Sequence, residues 1–407
     1  MPTKEKEYLG VAEVLEEEIP AQEMFLNMGP SHPSMHGVVR IMVRISGEQI
    51  VWSDVEIGYM HRAFEKQCEQ NSWNTAIVYT DRLNYVSPII NNVGYCMAVE
   101  KLLGITVPER GEYARVLVSE ASRIADHLTC IGAAIMELGA FTVFLYTMKA
   151  REWLYEIFEA ACGARVTTNF TRVGGLCGPL PEGFEELCRR AIPKVRGVIW
   201  EIDKLITRNR IFIDRVKDIG KVSAEDAVRM GFTGPCLRAC GVPYDIRRTQ
   251  PYSIYDRLDF TVPVGTNGDV LDRYLVRMEE MRQSLNIMEQ CLDQMPPGEV
   301  NSLDKRVTKP MKTDVYGNIE GLMNQFKLVM DHHGIQVPPG ETYTCVEGGN
   351  GELGFYIVSD GKDGPYKCRP PCFPIVQAIP RMIQDHFVAD VVPVFGSINM
   401  IAGEMDR

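Results

Sequence analysis

Two histidines in GPSHPSMHG, residues 29–37, are the first side chains in this sequence whose type and spacing could do chemistry. His32 and His36 stand four apart, which on a helix puts two imidazoles on one face and often serves a metal. Pro33 lies between them, and Gly29, Pro30 and Gly37 surround them, so that helix is excluded. A histidine pair alone is also short of a ligand set. Two readings stay open. Both rings hydrogen-bond within the loop, or one of them points into a cavity and offers a proton near neutral pH.

Glu137 is the second candidate, the single charge in TCIGAAIMELGAFTVFLYTM, residues 129–148. A carboxylate in apolar surroundings is costly unless paired or neutral. It is either a surface glutamate at a kink or a buried acid set against a histidine, whose charged form it would favour. The stretch has the length to cross a bilayer. Gly139 interrupts it, however, and no second such stretch exists, so the reading favoured here is a buried core helix, which is also apolar all round. Tyr85, in TDRLNYVSP, reads on its own as a core aromatic.

The twelve cysteines include no C-x-x-C pair; the nearest are Cys236 with Cys240 and Cys368 with Cys372, both C-x-x-x-C beside prolines. They make a poor zinc site. The charged N-terminus, MPTKEKEYLGVAEVLEEEIP, has no apolar signal core, which favours free thiols in a reducing cytoplasm. With 43 basic against 54 acidic residues the net charge is −11, which argues against general affinity for nucleic acid. It suits solubility, or a surface shaped for basic partners. No phosphate-cradling glycine loop of the G-x-G-x-x-G or G-K-[ST] type occurs.

The elements that must position these residues follow from periodicity. Alternation predicts strands over 24–28, 39–45 and 50–55, so the histidine loop joins two strands of a small N-terminal sheet. Helices are predicted over 58–84 and 86–103. A proline-free helical run from Glu112 to Cys162 is too long for one globular helix and is expected to break at Leu138-Gly139-Ala140. Further helices are expected over 184–207 around Pro193, in SAEDAVRM behind a Ser223 capping box, and over 269–295. Short strands alternate with turns from Glu341 onward. The chain divides into an N-terminal extension (1–22), a sheet region (23–57), a helical bundle (58–335) and a mixed C-terminal segment (336–407). The fold class is α+β, mainly α.

Several strings resemble the 49-kDa (D) subunit family of respiratory complex I, the NADH:quinone oxidoreductase. They are GPSHPSMHG, GYMHRAFEK, TDRLNYVSP, AVEKLLG, SRIADHL, ELGAFTVF, ARVTTNFTRVGG, FTGPCLRACGVPYDIRR, GDVLDRYLVRMEEMRQSL, GELGFYIVSDG and GSINMIAGEMDR, in order from about residue 24 to the C-terminus. The resemblance implies the fold of the large subunit of nickel–iron hydrogenases. Those enzymes hold metal with two C-x-x-C pairs, whose positions here are Asn84–Ser87 and about Ile401–Glu404. No thiolate remains at either, and such a centre requires soft thiolates.

By the same resemblance, His36 and Tyr85 are the hydrogen-bond partners of a quinone head group, and His32 supports the loop. Glu137 falls where the family has the aspartate that partners the histidine. Arg62, Arg82 and Thr167 lie near the terminal 4Fe–4S cluster of a small iron–sulfur partner subunit. Thr167 stands where the family has a histidine that hydrogen-bonds that cluster. Its loss should lower the cluster potential and suit a low-potential quinone such as menaquinone, although the two arginines act the other way. Asn399 stands where the family has aspartate. The implied activity is that of one subunit of a proton-translocating NADH:quinone oxidoreductase, not active alone, binding no cofactor by itself and taking ubiquinone or menaquinone as substrate. Its partners would be other peripheral-arm and membrane-arm subunits, and it would sit peripherally on the cytoplasmic face of the membrane. Two alternatives are the equivalent subunit of an enzyme that takes its electrons from ferredoxin or another carrier, and a non-catalytic scaffold.

Overall fold

Alternating apolar residues build the first sheet. Strands β1 (Glu23–Met28), β2 (Arg40–Ser46) and β3 (Gln49–Glu56) pair antiparallel in that order, with Ile41, Val43 and Ile45 turned into the core. The computed structural model describes residues 23–330 and 333–407, so the predicted extension 1–22 lies outside the described residues. The histidine loop is the β1–β2 connection, as its turn residues predict.

The single helix expected over 58–84 is instead two short ones, Phe64–Glu69 and Trp73–Thr80. Ser72 separates them because its hydroxyl accepts the Thr75 amide at 3.3 Å and caps the second. Helix α1 (Pro88–Leu103) begins at Pro88, where a missing N–H costs nothing, and stops at Gly104 with φ 66°. Helices α2 (Glu109–Glu137) and α3 (Phe141–Cys162) divide the long helical run at the predicted Leu138-Gly139-Ala140 break, where Gly139 has φ 96°. This break splits the apolar stretch 129–148. Among the described residues no helix is long and apolar enough to cross a membrane.

Helix α4 (Phe184–Ile202) contains Pro193 and runs into a π turn, Asp203–Thr207. Ser223 caps Ala224–Arg229 by accepting the Asp226 amide at 3.1 Å. Helix α5 (Val270–Gln294) is capped by Asp269, which accepts the Asp272 amide at 2.8 Å. The second sheet, β4 (Gly340–Glu347), β5 (Glu352–Ser359) and β6 (Lys367–Arg369), is antiparallel and lies on α1. Tyr95 of α1 meets Phe355 of β5 edge to face at 5.9 Å. A helix α6 (Val388–Ile398) and a short α7 (Ala402–Asp406) end the chain. Helices therefore dominate, with one small sheet near each end of the described chain.

Helix α2 is the axis of the molecule, packed by α3, α5 and α6. It buries charge as well as apolar surface. Arg123 lies against Glu120 (3.2 Å) and donates to the carbonyls of Glu347 and Gly348, both at 2.7 Å. Arg238 joins Glu280 at 2.7 Å and Glu347 at 2.8 Å, and His127 reaches Glu280 at 2.8 Å. From α5, Arg277 donates to the Ser397 carbonyl at 2.6 Å and Arg273 to the Ser397 hydroxyl at 3.0 Å. Removing one partner of such a buried pair costs about 3–5 kcal/mol. The physical effect is positional: the turn after β4 and the end of α6 are both clamped beside the middle of α2.

Candidate functional site

The histidine loop is rigid for local reasons. Gly29 has φ 109°, and a Cβ there would sit 1.9 Å from the Val39 carbonyl oxygen. A bridge between Ser31 and Val38 closes the loop, a 3-10 turn spans Pro33–Met35, and the Met35 side chain is fully buried beneath it. His32 turns inward, its Nδ1 accepting the Ser34 amide at 3.3 Å. His36 follows in the left-handed region, φ 46° and ψ 20°, which aims its ring away from the loop.

That ring meets the end of α2. His36 Nε2 lies 2.9 Å from Glu137 Oε1, with the side chains 19% and 9% exposed. The two atoms stand at ion-pair distance without the alignment of a hydrogen bond, and among the described residues the second oxygen of Glu137 takes no hydrogen bond. Phe395 of α6 packs edge to face against the imidazole, ring centres 6.2 Å apart. His32 and His36 thus have separate partners. Among the described residues no group of three or more histidine, cysteine, aspartate or glutamate side chains converges as a metal site would require.

Tyr85 sits half-buried on the turn before α1. Asn84 shapes that turn, its Oδ1 accepting the amides of Val86 and Ser87 at 3.2 Å each. Burial pushes the Tyr85 phenol above its ordinary range, and the Arg62 charge offsets part of this.

The C-terminal segment is wedged between the two loops. A Cβ on Gly37 would lie 3.1 Å from the Ala402 Cβ, and one on Gly403 would lie 2.5 and 2.6 Å from the carbonyl oxygens of Arg82 and Leu83. Only glycine allows that second approach. Arg62 ties the same junction, Nη2 donating to the carbonyls of Arg82 (2.9 Å) and Gly403 (3.2 Å). The geometry thus joins His36 to Glu137, and Arg62 to Arg82 and the C-terminal turn. Arg62, Arg82 and Thr167 are all solvent-exposed, Thr167 on the loop after α3 beside exposed Val166.

The sequence reading missed the buried hub below Tyr85. Asp126 of α2 accepts from Ser87 Oγ (2.8 Å), Asn84 Nδ2 (3.2 Å) and Asn399 Nδ2 (2.9 Å). Asn350, on the turn after β4, links Asn399 to Glu404. The strings SRIADHL, GELGFYIVSDG and GSINMIAGEMDR flagged these neighbourhoods, yet nothing in them says that Asp126, Asn399 and Glu404 meet.

Comparison with known proteins agrees with the resemblance. Residues 137–407 match the family described as "Respiratory-chain NADH dehydrogenase, 49 Kd subunit". The chain is 54% identical over 391 residues to a D-type NADH-quinone oxidoreductase subunit of Anaeromyxobacter dehalogenans, covering 96% of this chain and 90% of that protein. It is 53% identical to a D-type subunit of the same enzyme from Sorangium cellulosum, covering 96% and 97%. With the C/D-type subunit of Bdellovibrio bacteriovorus, in which the matching part is 68% of a longer chain, identity is 50%. The chain belongs to the family of the 49-kDa subunit of the respiratory-chain NADH dehydrogenase.

Proposed function

We propose that this chain forms the quinone-reducing site of an NADH-quinone oxidoreductase, with His36 and Tyr85 holding the quinone head group and Glu137 holding His36. The observation that carries the reading is the His36–Glu137 contact at 2.9 Å, on a loop joined to the Tyr85 turn through the C-terminal wedge. The names of the relatives support it, since each is a subunit of an enzyme that reduces quinone.

The chemistry suits these groups. Quinone takes up two electrons and two protons. Its reduced oxygens are strong bases, so a phenol can donate despite its high intrinsic pKa. At the other carbonyl an imidazole stabilises developing negative charge and supplies the second proton, while Glu137 offsets the positive charge on the ring. An iron–sulfur cluster of a neighbouring subunit would supply the electrons. Arg62, Arg82 and Thr167 are the residues of this chain that would face it. Exposed Phe141 and Leu145, just past the Glu137 break, together with Val166, are the apolar surface that such a neighbour would cover. The chain reaches the membrane through other subunits, on its cytoplasmic face. The donor is NADH rather than ferredoxin, in keeping with the relatives' names.

His36→Asn tests the reading cleanly, because asparagine tolerates the left-handed backbone at this position. Quinone turnover by the purified, assembled complex should fall at least about 100-fold, the usual weight of a positioned acid. Turnover within a few-fold of wild type would remove His36 from the site.

A further inference from the structure

Two buried carboxylates lie below the Tyr85 turn in one polar network. Asp126, 0% exposed, accepts from three donors, Ser87, Asn84 and Asn399. Glu404, 4% exposed, is reached by one long bond, Asn350 Nδ2 to Oε2 at 3.4 Å. Two carboxylates in one buried network resist carrying charge together, and the one with more hydrogen-bond donors keeps it. Donor supply makes that Asp126. Resting on the quinone-site reading, we propose that Glu404 is a positioning residue: it holds a proton beside Asp126 and thereby lets Asp126 keep its grip on the turn that carries Tyr85.

The surroundings favour this division. Burial pushes the Glu404 carboxyl up to about 7, with the Asn350 amide offsetting part of the rise and Asp126 adding to it. The nearby charges are engaged elsewhere. Arg62 is turned to the carbonyls of Arg82 and Gly403, and Asp406 accepts the amides of Gly58 (2.9 Å) and Met60 (2.8 Å). His61 Nδ1 pairs with the Asp406 carbonyl at 2.8 Å, and across the wedge His36 and Glu137 face each other. When Glu404 ionises, its charge repels Asp126 through the two asparagine side chains. The carboxylate that holds Ser87 Oγ and Asn84 Nδ2 is displaced, and Tyr85 moves with its turn.

The experiment is the pH profile of NADH-driven reduction of a short-chain quinone by the intact purified complex. Wild type should lose turnover as pH rises through about 7, roughly tenfold per pH unit above it. Glu404→Gln, neutral at every pH, should abolish that limb while keeping the rate measured below it. Asn399→Asp adds a third carboxylate to the cluster and should move the limb up by about one pH unit. It also keeps the test open should the glutamine variant fail to assemble. A limb unchanged in either assembled variant, or absent from wild type, overturns the proposal. Tyr85→Phe separates the two ideas. If it is inactive while Glu404→Gln keeps the limb, only the Glu404 role falls. If it keeps full turnover, the quinone-site reading falls, and this inference with it.

Discussion

Asp126→Ala should loosen the Tyr85 turn by an amount that can be worked from its contacts. The substitution strips an acceptor from three buried donors: Ser87 Oγ, Asn84 Nδ2 and Asn399 Nδ2. Hydrogen bonds to a charged group contribute about 1.5–3 kcal/mol each, so the gross loss is roughly 5–9 kcal/mol. Relief from burying a carboxylate returns several kcal/mol, leaving a net cost of about 3 kcal/mol. The local reporters are the amides of Val86 and Ser87, which are held by Asn84 Oδ1. Hydrogen exchange at these two amides, followed by mass spectrometry on the assembled complex, should accelerate roughly 150-fold, the equivalent of 3 kcal/mol at 1.36 kcal/mol per tenfold. Asp126→Asn keeps one acceptor and should fall between. Exchange at 86–87 within about threefold of wild type would refute the claim that Asp126 holds the turn.

Gly403→Ala should cost roughly 100-fold in turnover without loss of assembly, because its Cβ must push back the Arg82 and Leu83 carbonyls that it would meet at 2.5 and 2.6 Å. Gly197→Ala on α4, where a Cβ meets nothing within 4 Å, is the matched control and should leave the rate unchanged. The Glu120 carboxyl is held at about 2, against 4.5 ordinarily: burial raises it, but Arg123, Arg247, Ser284 and Tyr255 outweigh that. A depressed acid stabilises the fold above its unfolded value. About 3 kcal/mol should therefore be present above pH 4.5 and be lost as pH falls toward 2. Glu120→Gln should be less stable at neutral pH and show a shallower acid-induced loss of amide protection in α2; an equally steep acid limb would contradict this.

How far the sequence could be read depended on the kind of signal. Periodicity and turn chemistry are local, so the first sheet, the histidine loop between β1 and β2, the Gly139 break and the Ser223 cap were all legible. The 58–84 region was not, because two short helices separated by a capping serine show nearly the same apolar spacing as one helix. The ionic interior was also hidden. Arg115, Arg123, Arg238, Arg273 and Arg277 are buried, although arginine in a helical pattern ordinarily marks a solvated face. Their partners lie far along the chain: Arg123 reaches Gly348 across 225 residues and Asp126 reaches Asn399 across 273. No spacing rule spans such distances. The histidine pair and Glu137 stood out by residue type, with an acid set against a histidine as one reading, whereas Tyr85 was nominated only through family resemblance; the geometry added the 2.9 Å His36–Glu137 contact and the wedge. Asn399 was noticed as a departure without a role. Its left-handed backbone at the end of α6, φ 56°, and its bond to Asp126 now supply one.

The most direct test of the central claim is quinone reduction by the assembled complex carrying Tyr85→Phe, with iron–sulfur content and the set of subunits matched to wild type. Removing only the phenol hydroxyl leaves packing intact, so turnover should fall by about 100-fold or more, with electron transfer into the clusters unimpaired. Wild-type turnover in that variant would contradict the claim and move the protonation of quinone away from this chain.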